Sequence, residues 1–185
     1  MTYLAWPLQR NVIRRGVRNN AFGMVRNGGT KAHQGWDLMA RPLTPCHAIA
    51  DGKVTKLSNM GAYGMLIELE FKHHLYAMPL YAIYAHLSFW HVRRDETVWR
   101  GQVIGLTGNT GNAASMHGED QHLHFEIRTK KDLAVAGLDY RIDPARLYGR
   151  PPLIHTFFEG HGEKVSTAGA TGLKVQGVNV REDVK

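Results

Sequence analysis

The sequence predicts a mainly β domain of antiparallel sheet with few short helices, and three observations carry that prediction. Apolar and polar residues alternate with a period of two in several segments, sustained helical periodicity is almost absent, and turn signals rich in Gly and Asn separate the alternating runs. Met65, Ile67, Leu69 and Phe71 alternate with Leu66, Glu68 and Glu70. Ile83, Ala85 and Leu87 alternate with Ala82, Tyr84, His86 and Ser88, which sets His86 on the polar face of its strand. Leu123, Phe125 and Ile127 alternate with His122, His124, Glu126 and Arg128. Turns are expected at 50–53, 59–64 and 105–112.

A chain of 185 residues with 43% hydrophobic content is long enough for one domain with a core and a short extension. With 21% charged residues and no apolar run near ~18 residues, neither wholesale disorder nor a membrane-spanning helix fits. Pro151-Pro152 punctuates the chain, and Gly, Ser, Thr and Val dominate beyond it. Residues 1–150 therefore read as the domain and 151–185 as a C-terminal extension, which can be an added strand, a docking tail or disorder. Of the net charge of +7, +6 falls in residues 1–50, where seven basic residues face one acid, Asp37. This basic leader reads either as a solvated, partly mobile arm or as a surface that attracts an anionic polymer. It lacks the aromatic interleaving of a nucleic-acid surface. A single cysteine, Cys46, excludes an internal disulfide and a Cys-based zinc site and reads as a buried apolar residue. The N-terminal sequence lacks the apolar stretch and cleavage site of a secretory signal.

Eleven histidines direct attention to which of them share a strand face. His122 and His124 are two apart on an alternating segment, so both imidazoles project to one side while Leu123 and Phe125 enter the core. Alone, such a pair reads equally as two surface histidines. His33 and Asp37 stand four apart, a spacing that converges on a strand face or a helix face; the alternative is a surface pair or a capping aspartate. Zinc takes nitrogen and oxygen ligands in tetrahedral sites, with three protein ligands plus water where it is catalytic. His86 in Tyr84-Ala-His-Leu-Ser88 adds one more imidazole, and the ordered set is more specific than any part.

In that order the chain resembles the M23 family of zinc metallopeptidases, the lysostaphin-like or LytM-like peptidoglycan endopeptidases. The resemblance rests on Ala21-Phe-Gly-Met-Val-Arg26, His33-Gln-Gly-Trp-Asp37-Leu38, Pro45-Cys-His-Ala-Ile-Ala-Asp-Gly-Lys-Val54, Tyr63-Gly64, Tyr84-Ala-His-Leu-Ser88, Gly101-Gln-Val-Ile-Gly105, Thr107-Gly-Asn-Thr-Gly111 and His122-Leu-His-Phe-Glu-Ile-Arg128, and spans Trp6 to Tyr148. It implies that His33, Asp37 and His124 hold Zn2+, that His86 and His122 are the catalytic pair, and that the substrate is a peptide cross-link of the bacterial cell wall. The direct D-Ala–meso-diaminopimelate bond is favoured over a glycyl-glycine bridge.

Two segments depart from the family pattern. Residues 112–121 form a polar insertion expected to border one wall of the cleft, and Phe71–Tyr81, with His73 and His74, is expected to shape the opposite one. His117 reads as an exposed loop residue, and His47, His73, His74, His91, His155 and His161 receive no chemistry. Without a visible signal or propeptide, the chain reads as an antibacterial lytic effector. It would be made in the cytoplasm, carried by a secretion apparatus into a target cell's periplasm and neutralised in the producer by a cognate immunity protein. A phage-encoded lytic enzyme and a catalytically silent LytM-like binding module are the alternatives. His117-Gly-Glu119 fits the H-x-E of a nucleobase deaminase, but the partner P-C-x-x-C is missing.

Overall fold

A computed structural model describes residues 4–154, 156–159, 164–167, 173–175 and 178–180. His155, His161 and much of the C-terminal extension lie outside the described residues. In chain order the elements are β1 (Arg10–Asn11), α1 (Val17–Asn20), β2 (Gly23–Arg26), β3 (Lys31–His33), β4 (Trp36–Met39), β5 (Pro45–His47), β6 (Gly52–Met60), β7 (Gly64–Phe71) and β8 (Leu80–Trp90). They continue with β9 (Thr97–Val98), β10 (Val103–Thr107), β11 (His122–Arg128), β12 (Arg141–Ile142), α2 (Ala145–Tyr148), β13 (Thr156–Glu159) and β14 (Lys164–Thr167). The main sheet runs β12-β11-β8-β7-β6-β9, all antiparallel, with β4 sharing the far edge of β11 and β10 joining β8 to β5. Within the extension, β13 pairs with β1 and β14 with β13.

One face of the sheet builds the core. Trp36, Leu38, Leu123, Phe125 and Ile127 from β4 and β11 pack with Ile67, Leu69 and Phe71 from β7, as the alternation predicts. The leader is part of this core rather than a solvated arm: Leu4, Ala5, Trp6, Leu8 and Ile13 are all buried. Trp6 stacks on Tyr148 at 4.3 Å between centroids and lies 6.3 Å from Trp36, while the Tyr148 hydroxyl donates to the Ala5 carbonyl at 2.7 Å. The physical reason is amphipathy on a short scale. The apolar residues turn inward, while Arg15 and Arg18 stay in solvent.

The reading of β8 needs a correction. Strict alternation groups Tyr84 with His86 on the polar face, yet Tyr84 lies in the core, opposite Phe125, and its hydroxyl accepts the Ile49 N–H at 3.0 Å. His86 reaches the other face through a bulge. Met65 pairs with Leu87 but Ile67 with Tyr84, so β8 carries one extra residue against β7, and His86 adopts φ +62°. A left-handed backbone at a non-glycine residue costs of order 1–3 kcal/mol, held here by the pairing on either side.

The expected outcome of Trp6→Ala is a loss of about 3–5 kcal/mol in denaturant unfolding, because the stack against Tyr148 and Trp36 becomes a cavity. Arg18→Ala, in the same leader but exposed, should change stability by less than about 0.5 kcal/mol. A neutral Trp6→Ala would show that the leader adds nothing to the core.

Candidate metal centre

The face opposite the core carries the site. In the β4–β11 pairing His124 lies directly across from Asp37 and His122 from Met39, so Asp37 and His124 point to one side while Trp36, Leu38 and Phe125 anchor the other. Gly35 permits this close approach, because a Cβ there would stand 2.1 Å from the Phe125 carbonyl oxygen. His33 ends β3 just before that glycine and turns onto the same face.

Three atoms from these residues converge. Asp37 Oδ1 lies 2.8 Å from His124 Nδ1 and 3.0 Å from His33 Nε2, and the two imidazole nitrogens are 3.3 Å apart. Ligands at ~2.0–2.1 Å around a tetrahedral ion stand roughly 3.3 Å from one another, so the triangle matches a zinc donor set. Each side chain is also tied on its far side. His33 Nδ1 donates to the Ala21 carbonyl at 2.9 Å, His124 Nε2 donates to Glu126 Oε1 at 2.8 Å, and Asp37 Oδ2 accepts from Arg26 at 2.8 Å. These ties leave His33 Nε2, His124 Nδ1 and Asp37 Oδ1 facing one point, the outer arrangement that metal ligands require. Among the described residues, this group is the one whose ligand atoms can hold a metal ion.

The charges are compensated at close range. Burial would raise the Asp37 carboxyl, but hydrogen bonding to His124 and His33 and the charge of His124 and His122 hold it well below the usual carboxylate range. Burial would lower His124; Asp37 and Glu126 on either side instead lift it to about 9. Fully buried Glu126 is kept ionised against its own burial by His124 and Arg128, and also accepts from Tyr63 Oη and Arg141 Nε.

Two further imidazoles line the same cleft. His86 Nδ1 donates to the Thr110 carbonyl at 3.0 Å and His122 Nδ1 to the Asp120 carbonyl at 2.8 Å; a carbonyl only accepts, so the proton sits on Nδ1 and Nε2 keeps its lone pair. Their rings meet edge-on at 5.1 Å. Burial pushes His86 down to about 3, with the His124 and His122 charges adding, and burial also lowers His122. Thr110 is placed by the glycine-rich turn: its Oγ1 bridges the Leu87 carbonyl and the Met65 N–H, and Gly111, at φ +65°, packs against Ala62 and Gly64 too closely for any Cβ.

All five predicted site residues thus meet in one cleft of about 840 Å³. Asn112 and Met116 of the insertion form one wall, as expected. Phe71–Tyr81 does not line the cleft, because it turns back at the far end of β7 and β8 where Phe71 pairs with Leu80; Leu133–Ala136 lines it instead. The 133–136 wall is held by Arg141 to the Val135 carbonyl, Glu68 to the Asp132 N–H, and a Lys56–Asp132 pair. His117 is exposed and outside the ligand group. Sequence reasoning assigned no role to Glu126, Arg26 or Arg14. Glu126 carries a signal, standing two residues from His124 on the same strand face; Arg14, 108 residues from His122, carries none.

Comparison with known proteins gives this geometry a context. The DD-carboxypeptidase/endopeptidase Mpg of Neisseria meningitidis serogroup B is 34% identical over 98 residues, 53% of this chain and 20% of that protein. The glycyl-glycine endopeptidase ALE-1 of Staphylococcus capitis is 31% identical over 123 residues, 64% of this chain and 30% of that protein. A zinc-containing peptidase from Vibrio cholerae superposes with a TM-score of 0.54 at 25% identity, covering 69% of this chain and 36% of that one. The chain spans about a fifth of the length of the first curated relatives it matches. The family model of peptidase family M23 matches residues 31–136, more than half of the chain and all five site residues, and the chain belongs to that family of zinc metallopeptidases.

Proposed function

We propose that the chain is a zinc-dependent endopeptidase that hydrolyses peptide cross-links of peptidoglycan, with His33, Asp37 and His124 as metal ligands and His86 and His122 as the catalytic pair. The convergence of three pre-oriented ligand atoms with two imidazoles on the floor of an open cleft carries this reading. Bound zinc supplies Lewis acidity, polarising an amide carbonyl and acidifying water near neutral pH. His86, with its Nδ1 proton committed to Thr110, directs the Nε2 lone pair into the cleft, where it accepts a hydrogen bond from the attacking water. His122 offers Nε2 in the same way; once protonated there, an imidazole donates to the oxygen that gains charge or returns the proton to the departing amine. Water adds across the acyl carbon and the C–N bond breaks. Glu126 and Arg26 hold His124 and Asp37 while this happens.

The D-Ala–meso-diaminopimelate cross-link is the favoured bond. The description of the Neisseria relative as a DD-endopeptidase supports this choice, whereas that of the Staphylococcus relative names the other bond. The setting we propose for that chemistry is an antibacterial role in the periplasm of a target cell. Directing the protein to the periplasm of a Gram-negative host should lyse the cells, and the same protein kept in the cytoplasm should not.

Mass spectrometry of peptidoglycan digests tests the activity. Zinc-loaded protein should convert cross-linked dimers to monomers whose masses name the bond, and His86→Ala and His122→Ala should each slow release by at least ~100-fold. Metal-stripped protein should release nothing. Dimers left intact by the zinc-loaded protein, from both direct and glycine-bridged walls, would sink the reading.

Zinc binding should depend steeply on pH. At pH 7 His124 is protonated, with its pKa lifted to about 9, so the ion must displace that proton. Affinity should rise by about tenfold per pH unit up to that value and weaken as pH falls, with about one proton released per ion at pH 7. Calorimetry in two buffers of different ionisation enthalpy measures the release directly.

A further inference from the structure

Arg14 joins the leader, the insertion and the site through one side chain. Its backbone N–H donates to the Asp37 carbonyl at 3.0 Å, and the neighbouring Val12 carbonyl accepts from Met39, so this part of the leader runs alongside β4. Its Nη1 donates to the Asp120 carbonyl at 2.8 Å, the same oxygen that accepts the His122 Nδ1 proton at 2.8 Å. The two nitrogens are 3.1 Å apart; with the His122 proton on Nδ1, as the 2.8 Å approach of the Asp120 carbonyl requires, they are neighbours on one acceptor. Nη1 also reaches Met116 Sδ at 3.4 Å, and Nη2 lies 3.6 Å from Asp120 Oδ1. The Arg14 side chain is 16% exposed, whereas the adjacent Arg15–Glu119 pair is largely in solvent, where such pairs contribute little.

Asp120 belongs to a single 3-10 turn, Gly118–Asp120, whose own hydrogen bonds are local. The turn is tied at Gln121, whose N–H donates to the Gly118 carbonyl at 3.2 Å and whose carbonyl accepts from Ala40 at 3.1 Å, and Arg14 supplies the side-chain donor on the Asp120 carbonyl itself.

We propose that Arg14 is a positioning residue for His122: it clamps the end of the insertion so that the Asp120 carbonyl stays on His122 Nδ1 and Nε2 keeps its lone pair toward the cleft. This inference rests on the reading of His122 as catalytic. The basic residue that sharpens the active imidazole thus comes from outside the matched family segment, from a stretch whose sequence reads only as charge. One guanidinium serves two ends at once, closing the insertion as a wall and fixing a tautomer.

The test compares Arg14→Met, which keeps the packed stem but removes the donors, with Arg14→Lys and Arg15→Ala, all zinc-loaded. Arg14→Met should lower kcat by roughly 10-fold or more with KM little changed and one zinc still bound. Arg14→Lys, with one donor able to reach the same carbonyl, should recover part of the loss, and Arg15→Ala should match the wild type. Long-range 1H–15N spectra should place the His122 proton on Nδ1 in the wild type and show mixed tautomers in Arg14→Met. The proposal is overturned if Arg14→Met keeps both the wild-type kcat and the wild-type tautomer, if Arg15→Ala costs as much, or if the loss follows loss of zinc. If the wild type cleaves no cross-link, the functional reading falls, and the tautomer comparison still decides the role of Arg14.

Discussion

The antiparallel register of β4 against β11 is the constraint on which the site depends, because it sets Asp37 across from His124. A slip of one residue would turn both to the core side and send Trp36, Leu38, Leu123 and Phe125 toward the cleft. Those four side chains are fully buried, so the hydrophobic effect resists the slip far more strongly than any interaction among the polar groups. The core therefore positions the proposed metal ligands. Gly35 completes the arrangement by letting the His33–Asp37 segment approach β11 to a distance that no other residue allows.

The same packing creates an electrostatic demand. Asp37 and Glu126 are removed from water beside His33 and His124, and isolated buried carboxylates would be protonated. Each instead accepts several hydrogen bonds, Asp37 from His124 and Arg26 and Glu126 from His124, Tyr63, Arg128 and Arg141. Such a network is costly to assemble and adds little net stability. Its return is orientation: every ligand atom is turned inward by a partner on its outer side, so a divalent cation meets a donor set that needs little rearrangement.

Around this fixed centre, irregular pieces supply the rest. The bulge at His86 breaks the alternation of β8 and moves an imidazole from the core face to the cleft face, with the strain at the site and its support in the regular pairs on either side. The insertion and the 133–136 segment form walls of different chemistry, one joined to Arg14 of the leader and the other to Arg141, Glu68 and Lys56.

By itself the sequence determined the β architecture, and the order of its motifs named the five residues that the fold brings into one cleft. Period-two alternation is a local property, so the pairing of apolar faces and the shared direction of His122 and His124 follow from the order of residues along one strand. Tertiary structure alone decided the remainder: the burial of the leader under Trp36 and Tyr148, the placement of Tyr84 and His86, the identity of the second wall, and the meeting of Arg14 with His122. These contacts join segments far apart in the chain. They are set by how sheet, leader and loops share one core and one cleft, and no local period encodes that.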